Sequence, residues 1–300
     1  MRWFNRLVIR VMPVLPKSFV WIFSRRYIAG KTLEKAIGKS RQLNAEGCRV
    51  TLDVLGEDIF TPDEAEAEKE ECLRVLEAIH DNAIDGNLSV KLTSLGLKID
   101  RERCIRHMRE ILRSASEKNL FVRIDMEDAT CTDDTLEVYT RLREEFPRTG
   151  AVIQAYLRRS PRDVSTLIEK GIANLRLCKG IYVESPAIAY KKKRKIRDQF
   201  AELIRMVFDA GGYAAIATHD GQMIRRSLGM IAEKRILRTR YEFQMLLGVT
   251  EKRRRELIRQ GHGMRVYVPY GEHWYGYSMR RLKENPNMVG HIIKNLFIRG

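Results

Sequence analysis

The sequence predicts an α/β protein of the (βα)8, TIM-like barrel class, and the spacing of its apolar runs carries this prediction. Short apolar or alternating runs, which indicate strands, recur eight times, and most are separated by segments able to form a helix. No GxGxxG motif follows the first run, so an open dinucleotide-binding sheet is the weaker alternative. The predicted strands are residues 49–55, 88–92, 120–125, 151–156, 174–178, 213–218, 241–246 and 264–268.

Helix start signals lie between several of these runs. Thr61 is followed by Pro62 and two acids, which predicts a capped helix with a proline in its first turn. Asp100 and the pair Ser160-Pro161 are further candidate starts. These signals favour helices between the strands, as a barrel requires.

The composition is typical of one large globular domain. The chain has 300 residues, of which 44% are hydrophobic and 31% charged, and no Pro-, Gly- or Ser-rich linker divides it. We expect a helical N-terminal segment over residues 1–45 and a catalytic barrel over 46–300. Five widely spaced cysteines without a CxxC pair argue against a disulfide framework and a thiolate zinc site, and we expect no metal.

The net charge of +16 is large enough to attract polyanions. Residues 1–33 contain seven basic residues and no acidic one, interleaved with aromatic and aliphatic residues, which is typical of a membrane-surface segment. The longest charge-free run there is too short to cross a bilayer. Residues 1–33 therefore either contact an anionic membrane surface or pack on the barrel as helices.

Polar residues late in the apolar runs are the candidates for chemistry, because a (βα)8 barrel carries its reacting groups at the C-terminal ends of its strands. Lys91 and Asp125 would be costly to bury alone, so we expect each to pair with the other, with a neighbour or with a ligand. For any one residue a structural ion pair is the alternative, but the recurrence at many strand ends favours a site. The set is Lys91, Asp125, Gln154, Arg176, Lys179, Thr218, His219, Glu242, Gln244 and Tyr267.

The segment YGYSMRRLKE, residues 275–284, is the most specific feature. On a helix, Tyr277, Arg280, Arg281 and Glu284 share one face. Two adjacent guanidinium groups would bind a carboxylate by paired, charge-assisted hydrogen bonds, and Glu284 could hold one of them in place. A solvated basic face is the alternative.

From about residue 29 to the C-terminus the sequence resembles the proline dehydrogenase family, in its monofunctional bacterial form. Seven motifs occur in the family's order, namely SVKLTSLGL, FVRIDMED, VIQAYLRR, NLRLCKGIY, ATHD, YEFQMLLG and YVPYG with YSMRR. The resemblance implies a distorted barrel that holds FAD at the strand C-termini, with the last helix over the mouth. It also implies oxidation of L-proline to Δ1-pyrroline-5-carboxylate by hydride transfer to flavin N5, with electrons passed to a quinone, as the first step of proline catabolism to glutamate.

The resemblance assigns roles to individual residues as well. Lys91, Arg280 and Arg281 resemble the carboxylate-binding cations, and Asp125 and Glu284 the acids that position them, with Tyr277 beside them on the helix. The residues similar to the walls of the proline ring are Tyr182, Tyr267 and Leu246. Those similar to the FAD contacts are Gln154, Arg176, Lys179, Gly180, Thr218, His219 and Gln244. Ile181 departs from the pattern, because the family has alanine there.

Two other function classes compete with this interpretation. A basic binding protein could dock RNA or anionic lipid through the N-terminus, the lysine run at 190–197 and Arg253 to Arg255, but the aromatic motifs of RNA readers are missing and we expect no nucleic acid. Another FAD barrel, such as a folate reductase, would not need the Arg280 and Arg281 pair. We expect a cytoplasmic enzyme, with the inner face of the cell membrane as the surface that residues 1–33 would contact.

Overall fold

The computed structural model of the chain describes residues 20–21, 24–56 and 59–284, with side chains described as far as Met279. Within this part, eight parallel strands close into a barrel in chain order, because β1 pairs with both β2 and β8. The predicted fold class is confirmed. The strands are β1 Arg49–Val54, β2 Gly86–Val90, β3 Val122–Ile124, β4 Thr149–Gln154, β5 Asn174–Cys178, β6 Tyr213–Ala217, β7 Tyr241–Leu246 and β8 Met264–Tyr270.

A helix precedes the barrel and a helix follows each strand. They are α1 Leu33–Ala45, α2 Pro62–Asp81, α3 Arg101–Glu117, α4 Thr132–Glu145, α5 Ser160–Glu169, α6 Lys193–Asp209, α7 Gly221–Glu233, α8 Glu251–Arg259 and α9 Trp274–Glu284. Short 3₁₀ turns lie at Thr93–Leu95, Ala129–Cys131 and Arg238–Arg240. None of the helices in the described residues is both long and apolar enough to cross a bilayer.

The predicted helix starts are largely correct. Thr61 and Glu64 form a reciprocal capping box at the start of α2, with Pro62 in the first turn. The Asp100 side chain accepts a hydrogen bond of 3.0 Å from the backbone N–H of Arg103 at the start of α3. At α5 the cap position belongs to Arg159, one residue earlier than the Ser160-Pro161 signal, and its side chain makes no capping bond.

The side chains of each strand alternate between the helices and the barrel interior. Val50 and Leu52 of β1 are fully buried in the core formed with the surrounding helices, together with Leu88, Val122 and Leu175. Thr51 and Asp53 alternate with them, and Thr51 donates a hydrogen bond of 2.5 Å to Asn87 of β2 across the interior. The apolar core therefore lies outside the sheet, whereas polar side chains fill the barrel.

The described part of the N-terminal segment packs on the domain. Ala36, Ile37 and Leu43 of α1 belong to the main core. Val20 and Ile28 form a second cluster with Leu55, just after β1, and with Trp274, Tyr277 and Met279 of α9. These contacts hold α9 beside the C-terminal ends of the strands. The division at residue 45 stays a prediction.

Candidate active site

Asp125 lies at the centre of the barrel mouth, at the C-terminal end of β3. Its Oδ1 accepts hydrogen bonds from Ser89 Oγ at 2.7 Å and from Arg176 Nη1 at 2.6 Å, and its Oδ2 accepts one from the Tyr267 hydroxyl at 2.7 Å. Burial alone would raise its pKa, but Arg176 and Lys91 outweigh this and hold the pKa of Asp125 below its ordinary value. Asp125 is therefore a carboxylate at neutral pH that joins side chains from β2, β5 and β8.

Arg176 extends this network to β7. Its Nε donates to Gln244 Oε1 at 2.7 Å, and its guanidinium carbon lies 5.2 Å from the centre of the Tyr267 ring. Gln244 in turn donates to Glu242 Oε1 at 2.7 Å. Nη2 of Arg176 is buried and has no hydrogen-bond partner among the described residues. This N–H therefore has donor capacity for an acceptor brought by a ligand.

Lys91, in the loop after β2, forms its ion pair with Asp53 of β1 rather than with Asp125. Asp53 is 1% exposed and was not among the residues predicted for the site. Its signal was a carboxylate at a position of β1 that alternates with the apolar Val50 and Leu52. The sequence did not give the pairing of β1 with β2, which places Asp53 opposite Ser89 and beneath Lys91.

Most of the residues predicted to contact FAD surround the same mouth. Gly180 follows β5 with φ of +95°, and a Cβ there would lie 2.1 Å from the Tyr156 ring, so that only glycine fits. Lys179 Nζ lies 4.0 Å from Asp220 Oδ2 and is about half exposed. Gln154 donates to the Glu127 carbonyl at 2.7 Å, and Thr218 Oγ1 accepts from the Asp220 backbone N–H at 3.1 Å.

His219 lies after β6, and its imidazole links the ends of two neighbouring strands. Nε2 accepts a hydrogen bond of 2.9 Å from the backbone N–H of Leu246, the last residue of β7. An accepting Nε2 carries no proton, so this contact fixes the neutral tautomer with the proton on Nδ1. The bond also fixes the backbone of Leu246, one of the residues predicted to enclose the substrate ring.

Two of the three predicted wall residues lie side by side on neighbouring strands, and the third lies in a loop. Leu246 and Tyr267 are neighbours in the pairing of β7 with β8, and both are half-buried. Tyr182 is half-buried in the loop after β5, between the exposed Ile181 and Val183.

Tyr277 lies on α9 with 8% exposure, in the cluster that anchors this helix. The side chains of Arg280, Arg281 and Glu284 lie outside the described residues, so the carboxylate-binding pair stays a prediction.

Comparison with known proteins decides the family. The family model described as proline dehydrogenase matches residues 36–293. The chain belongs to the proline dehydrogenase family.

Its relatives include proline dehydrogenase 1 of Bacillus subtilis subsp. natto, which is 41% identical over 91% of this chain and 90% of the relative. Proline dehydrogenase of Deinococcus radiodurans is 32% identical over 94% of this chain and 92% of the relative. Because these relatives match over nearly their whole length, the chain is of the monofunctional bacterial type of proline dehydrogenase. It is an oxidoreductase of proline catabolism that acts on proline.

A solved structure supports the fold assignment. Proline utilization A from Bdellovibrio bacteriovorus, inactivated by N-propargylglycine, superposes with a TM-score of 0.84 at 26% identity, and the match covers 90% of this chain and 33% of that protein. The proline dehydrogenase barrel of the present chain therefore corresponds to a part of that longer protein.

Side chains from several strands meet at the mouth of this proline dehydrogenase. No group of three or more His, Cys, Asp or Glu residues in the described part is arranged to hold a metal ion. Four predicted site residues, Asp125, Arg176, Gln244 and Tyr267, form one hydrogen-bonded network. Four different strands supply them, which explains why spacing along the chain could not reveal their contacts.

Proposed function

We propose that the chain oxidises L-proline to Δ1-pyrroline-5-carboxylate with bound FAD and passes the electrons to a quinone. The observation that carries this proposal is the network of Asp125, Arg176 and Tyr267 at the barrel mouth, in which one buried N–H of Arg176 has no acceptor among the described residues. A (βα)8 barrel carries its active site at this face.

The residues at the mouth fit a flavin. Nη2 of Arg176 has no acceptor within the described part of the chain, and a flavin ring nitrogen at the mouth would supply one, which would offset a cost of about 1–3 kcal/mol. Gly180 turns the backbone at this mouth with φ of +95°, and its missing side chain makes room for the Tyr156 ring. Gln154, Lys179, Thr218, His219 and Gln244 would hold other parts of FAD.

Substrate binding would rest on cations and apolar walls. Lys91 lies at the mouth with its ammonium bonded to Asp53, and Arg280 and Arg281 follow on α9. Together they would bind the proline carboxylate by charge-assisted hydrogen bonds, with Glu284 and Asp125 positioning the cations and Tyr277 beside them on the helix. Tyr182, Tyr267 and Leu246 would enclose the ring and exclude water.

FAD, when bound, supplies the acceptor for the hydride that leaves C5 of proline. The ring nitrogen must be uncharged at that moment, so that its lone pair assists as the C–H bond breaks. The protein's contribution is orientation and exclusion of competing reactions. His219 is a poor candidate for a proton-transfer group because its Nε2 already accepts from Leu246, which favours a role in holding the cofactor and β7.

The proposal also includes a cytoplasmic location and contact with an anionic membrane surface through residues 1–33. A quinone dissolved in the membrane would then lie close to the barrel mouth. Residues 1–19, 22 and 23 lie outside the described part of the chain. The described Trp21 packs edge-on against Trp274 of α9, with ring centroids 4.7 Å apart.

An absorbance scan of the purified protein without oxygen tests the main proposal. We expect a flavin spectrum that bleaches on addition of L-proline and returns when a soluble quinone is added. Protein that takes up FAD without responding to proline would contradict the substrate assignment. Protein that takes up no FAD would contradict the cofactor assignment.

Replacing one predicted cation tests the carboxylate assignment. We expect Arg281→Met to raise the KM for proline by about tenfold or more at unchanged FAD content, because a charge-assisted contact is lost. Arg255→Met, which removes an arginine of α8 that pairs with Glu251, is the control and should leave KM unchanged. Unchanged proline kinetics in Arg281→Met would remove this residue from the site.

A further inference from the structure

Asp53 is a buried acid at the barrel mouth with a single described hydrogen-bond partner. It faces the interior near the end of β1, where the strand register places it opposite Ser89 of β2 and Pro269 of β8. Its Oδ1 accepts a hydrogen bond from Lys91 Nζ, whereas its Oδ2 is buried and has no hydrogen-bond partner among the described residues. Lys91 is therefore the main group that compensates the charge of Asp53, and the Tyr267 hydroxyl contributes less.

The second interior acid is bonded quite differently. Asp125 receives hydrogen bonds from Ser89, Arg176 and Tyr267, so that both of its oxygens are occupied. The two acids thus bind two different cations of the mouth. Asp125 holds Arg176 and Asp53 holds Lys91.

The charge of Lys91 depends on this arrangement. Burial by itself would lower the pKa of Lys91, but Asp53 and, less strongly, Asp125 outweigh it and hold the pKa above its ordinary value. Burial likewise raises the pKa of Asp53 against the opposing effect of Lys91. An ammonium group has three N–H donors, of which Asp53 takes one, so donors remain for an anionic ligand.

We propose that Asp53 is a positioning residue for proline binding, which holds the Lys91 ammonium charged and turned toward the substrate carboxylate. This inference rests on the proposed function, because it takes Lys91 to bind that carboxylate. Asp53 acts through Lys91 and does not itself contact the substrate. Asp53 binds the Lys91 ammonium from the buried side, and the Lys91 side chain is 25% exposed.

Asp53→Asn tests the inference, because asparagine keeps the shape of the side chain and removes its charge. We expect the KM for proline to rise by about tenfold near pH 7, with kcat changed much less. The inhibition constant of cyclopentanecarboxylate, which keeps the ring and the acid group of proline, should rise by the same factor.

The pH dependence separates positioning from a general structural effect. Burial lowers the pKa of Lys91 and the charge of Asp53 raises it, so the pKa of Lys91 should fall when the charge of Asp53 is removed. The ratio of the variant's KM to that of the wild type should therefore increase as the pH is raised from neutral to the highest pH at which both proteins stay folded, because Lys91 loses its proton at a lower pH in the variant. A ratio that stays constant up to that pH would overturn the inference.

A double-mutant cycle shows whether Asp53 acts through Lys91. Lys91→Met should raise the KM for proline, and adding Asp53→Asn to it should change KM by no more than about twofold. Two effects that multiply independently would overturn the inference while leaving the role of Lys91 intact. An unchanged KM in Lys91→Met would remove both the carboxylate role of Lys91 and the inference about Asp53.

Two further variants guard against loss of the fold. Asp53→Glu keeps the charge but displaces the ammonium, and we expect a smaller rise in KM than for asparagine, without the increase of the ratio at high pH. Glu46→Gln breaks another ion pair with a buried cation, that of Arg254, at 2.6 Å and away from the mouth. This control should leave KM unchanged, and a rise equal to that of Asp53→Asn would mean that KM reports only stability.

Discussion

The mouth and the base of the barrel both contain buried arginines, but only the arginine at the base is bonded to backbone carbonyls. Arg123 donates to the backbone carbonyls of Ala151 and Asn174 at 3.1 and 2.7 Å, and also to the side-chain Oδ1 of Asn174 at 2.9 Å. At the mouth, the strong hydrogen bonds of Arg176 go to side chains, those of Asp125 and Gln244. Backbone carbonyls in a closed sheet cannot reorient, whereas side chains can exchange a bond with a ligand.

The backbone also packs closely around the guanidinium group of Arg123. A Cβ at Gly150 would lie 2.2 Å from Nη1 of Arg123, so the backbone closes around this guanidinium. Each arginine has one buried N–H without a described partner, Nε in Arg123 and Nη2 in Arg176. An unpaired N–H therefore does not by itself identify a site. The backbone acceptors of Arg123 and its position at the base indicate a structural cation, whereas the position of Arg176 at the mouth is the reason why we propose a role for it in the site.

The largest effect that would test this comparison is expected at the mouth. Arg176→Met should lower the rate of flavin reduction by proline by about a hundredfold or more, because it removes the buried donor that we propose to lie next to the flavin. The melting temperature should also fall, because Asp125 keeps its bonds to Ser89 and Tyr267 but loses its buried ion-pair partner. Stopped-flow absorbance and thermal melting provide the two measurements. A large loss of stability with normal kinetics would reverse the assignment.

The opposite pattern is expected at the base. Arg123→Met should lower the free energy of unfolding by about 3 kcal/mol, because it leaves buried carbonyls of Ala151 and Asn174 without this donor. Denaturant unfolding measures this, and the folded fraction should keep its kcat. Arg141→Met, which removes an exposed ion pair with Glu102, is the control and should cost less than about 1 kcal/mol.

Two substitutions of Tyr267 distinguish the contribution of its ring, which forms part of the wall, from that of its hydroxyl, which is bonded to Asp125. Tyr267→Phe keeps the ring beneath Arg176 and loses the bond to Asp125, so we expect kcat/KM to fall by only a few-fold. Tyr267→Ala also opens the wall and should reduce kcat/KM by about thirtyfold or more. Steady-state kinetics of both variants decide this, and equal losses would reject the wall role.

The smallest effect concerns Glu68, a half-buried residue of α2 close to the mouth. Burial raises its pKa to about 7 from an ordinary value of 4.5, so its ionised form is disfavoured in the folded protein. The folded state therefore loses stability as the pH rises from about 4.5 to 7, and Glu68→Gln removes that loss. Above pH 7 we expect the variant to be more stable by on the order of 1 kcal/mol, which is about 2 °C in melting temperature.

The sign of this difference is testable against pH. The stability gain of Glu68→Gln should be absent near pH 4 and complete above pH 7. Glu77→Gln, which removes an exposed glutamate of the same helix, serves as the control. A gain that is largest at acidic pH would contradict the assignment of the raised pKa to Glu68.

The order of strands and helices, and many of the polar residues at the strand ends, could be predicted from the sequence alone. The eight runs, the capped start of α2 and the polar strand ends depend on local periodicity and on neighbouring residues, which a single sequence contains. The strand ends were less certain, because pairing sets them. The register with β1 extends β8 to Tyr270, beyond the predicted end at residue 268, whereas β3 shortens to Val122–Ile124.

The sequence by itself determined the (βα)8 rhythm, the family and the polar residue types at the strand ends. Only the tertiary structure decided which charges pair, because contacts across the barrel depend on strand register and closure. Lys91 is bonded to Asp53, and Asp125 to Arg176, through pairs separated by 38 and 51 positions along the chain. No local pattern specifies contacts of that range, since the free energy of a buried ion pair depends on the geometry that the closed sheet imposes.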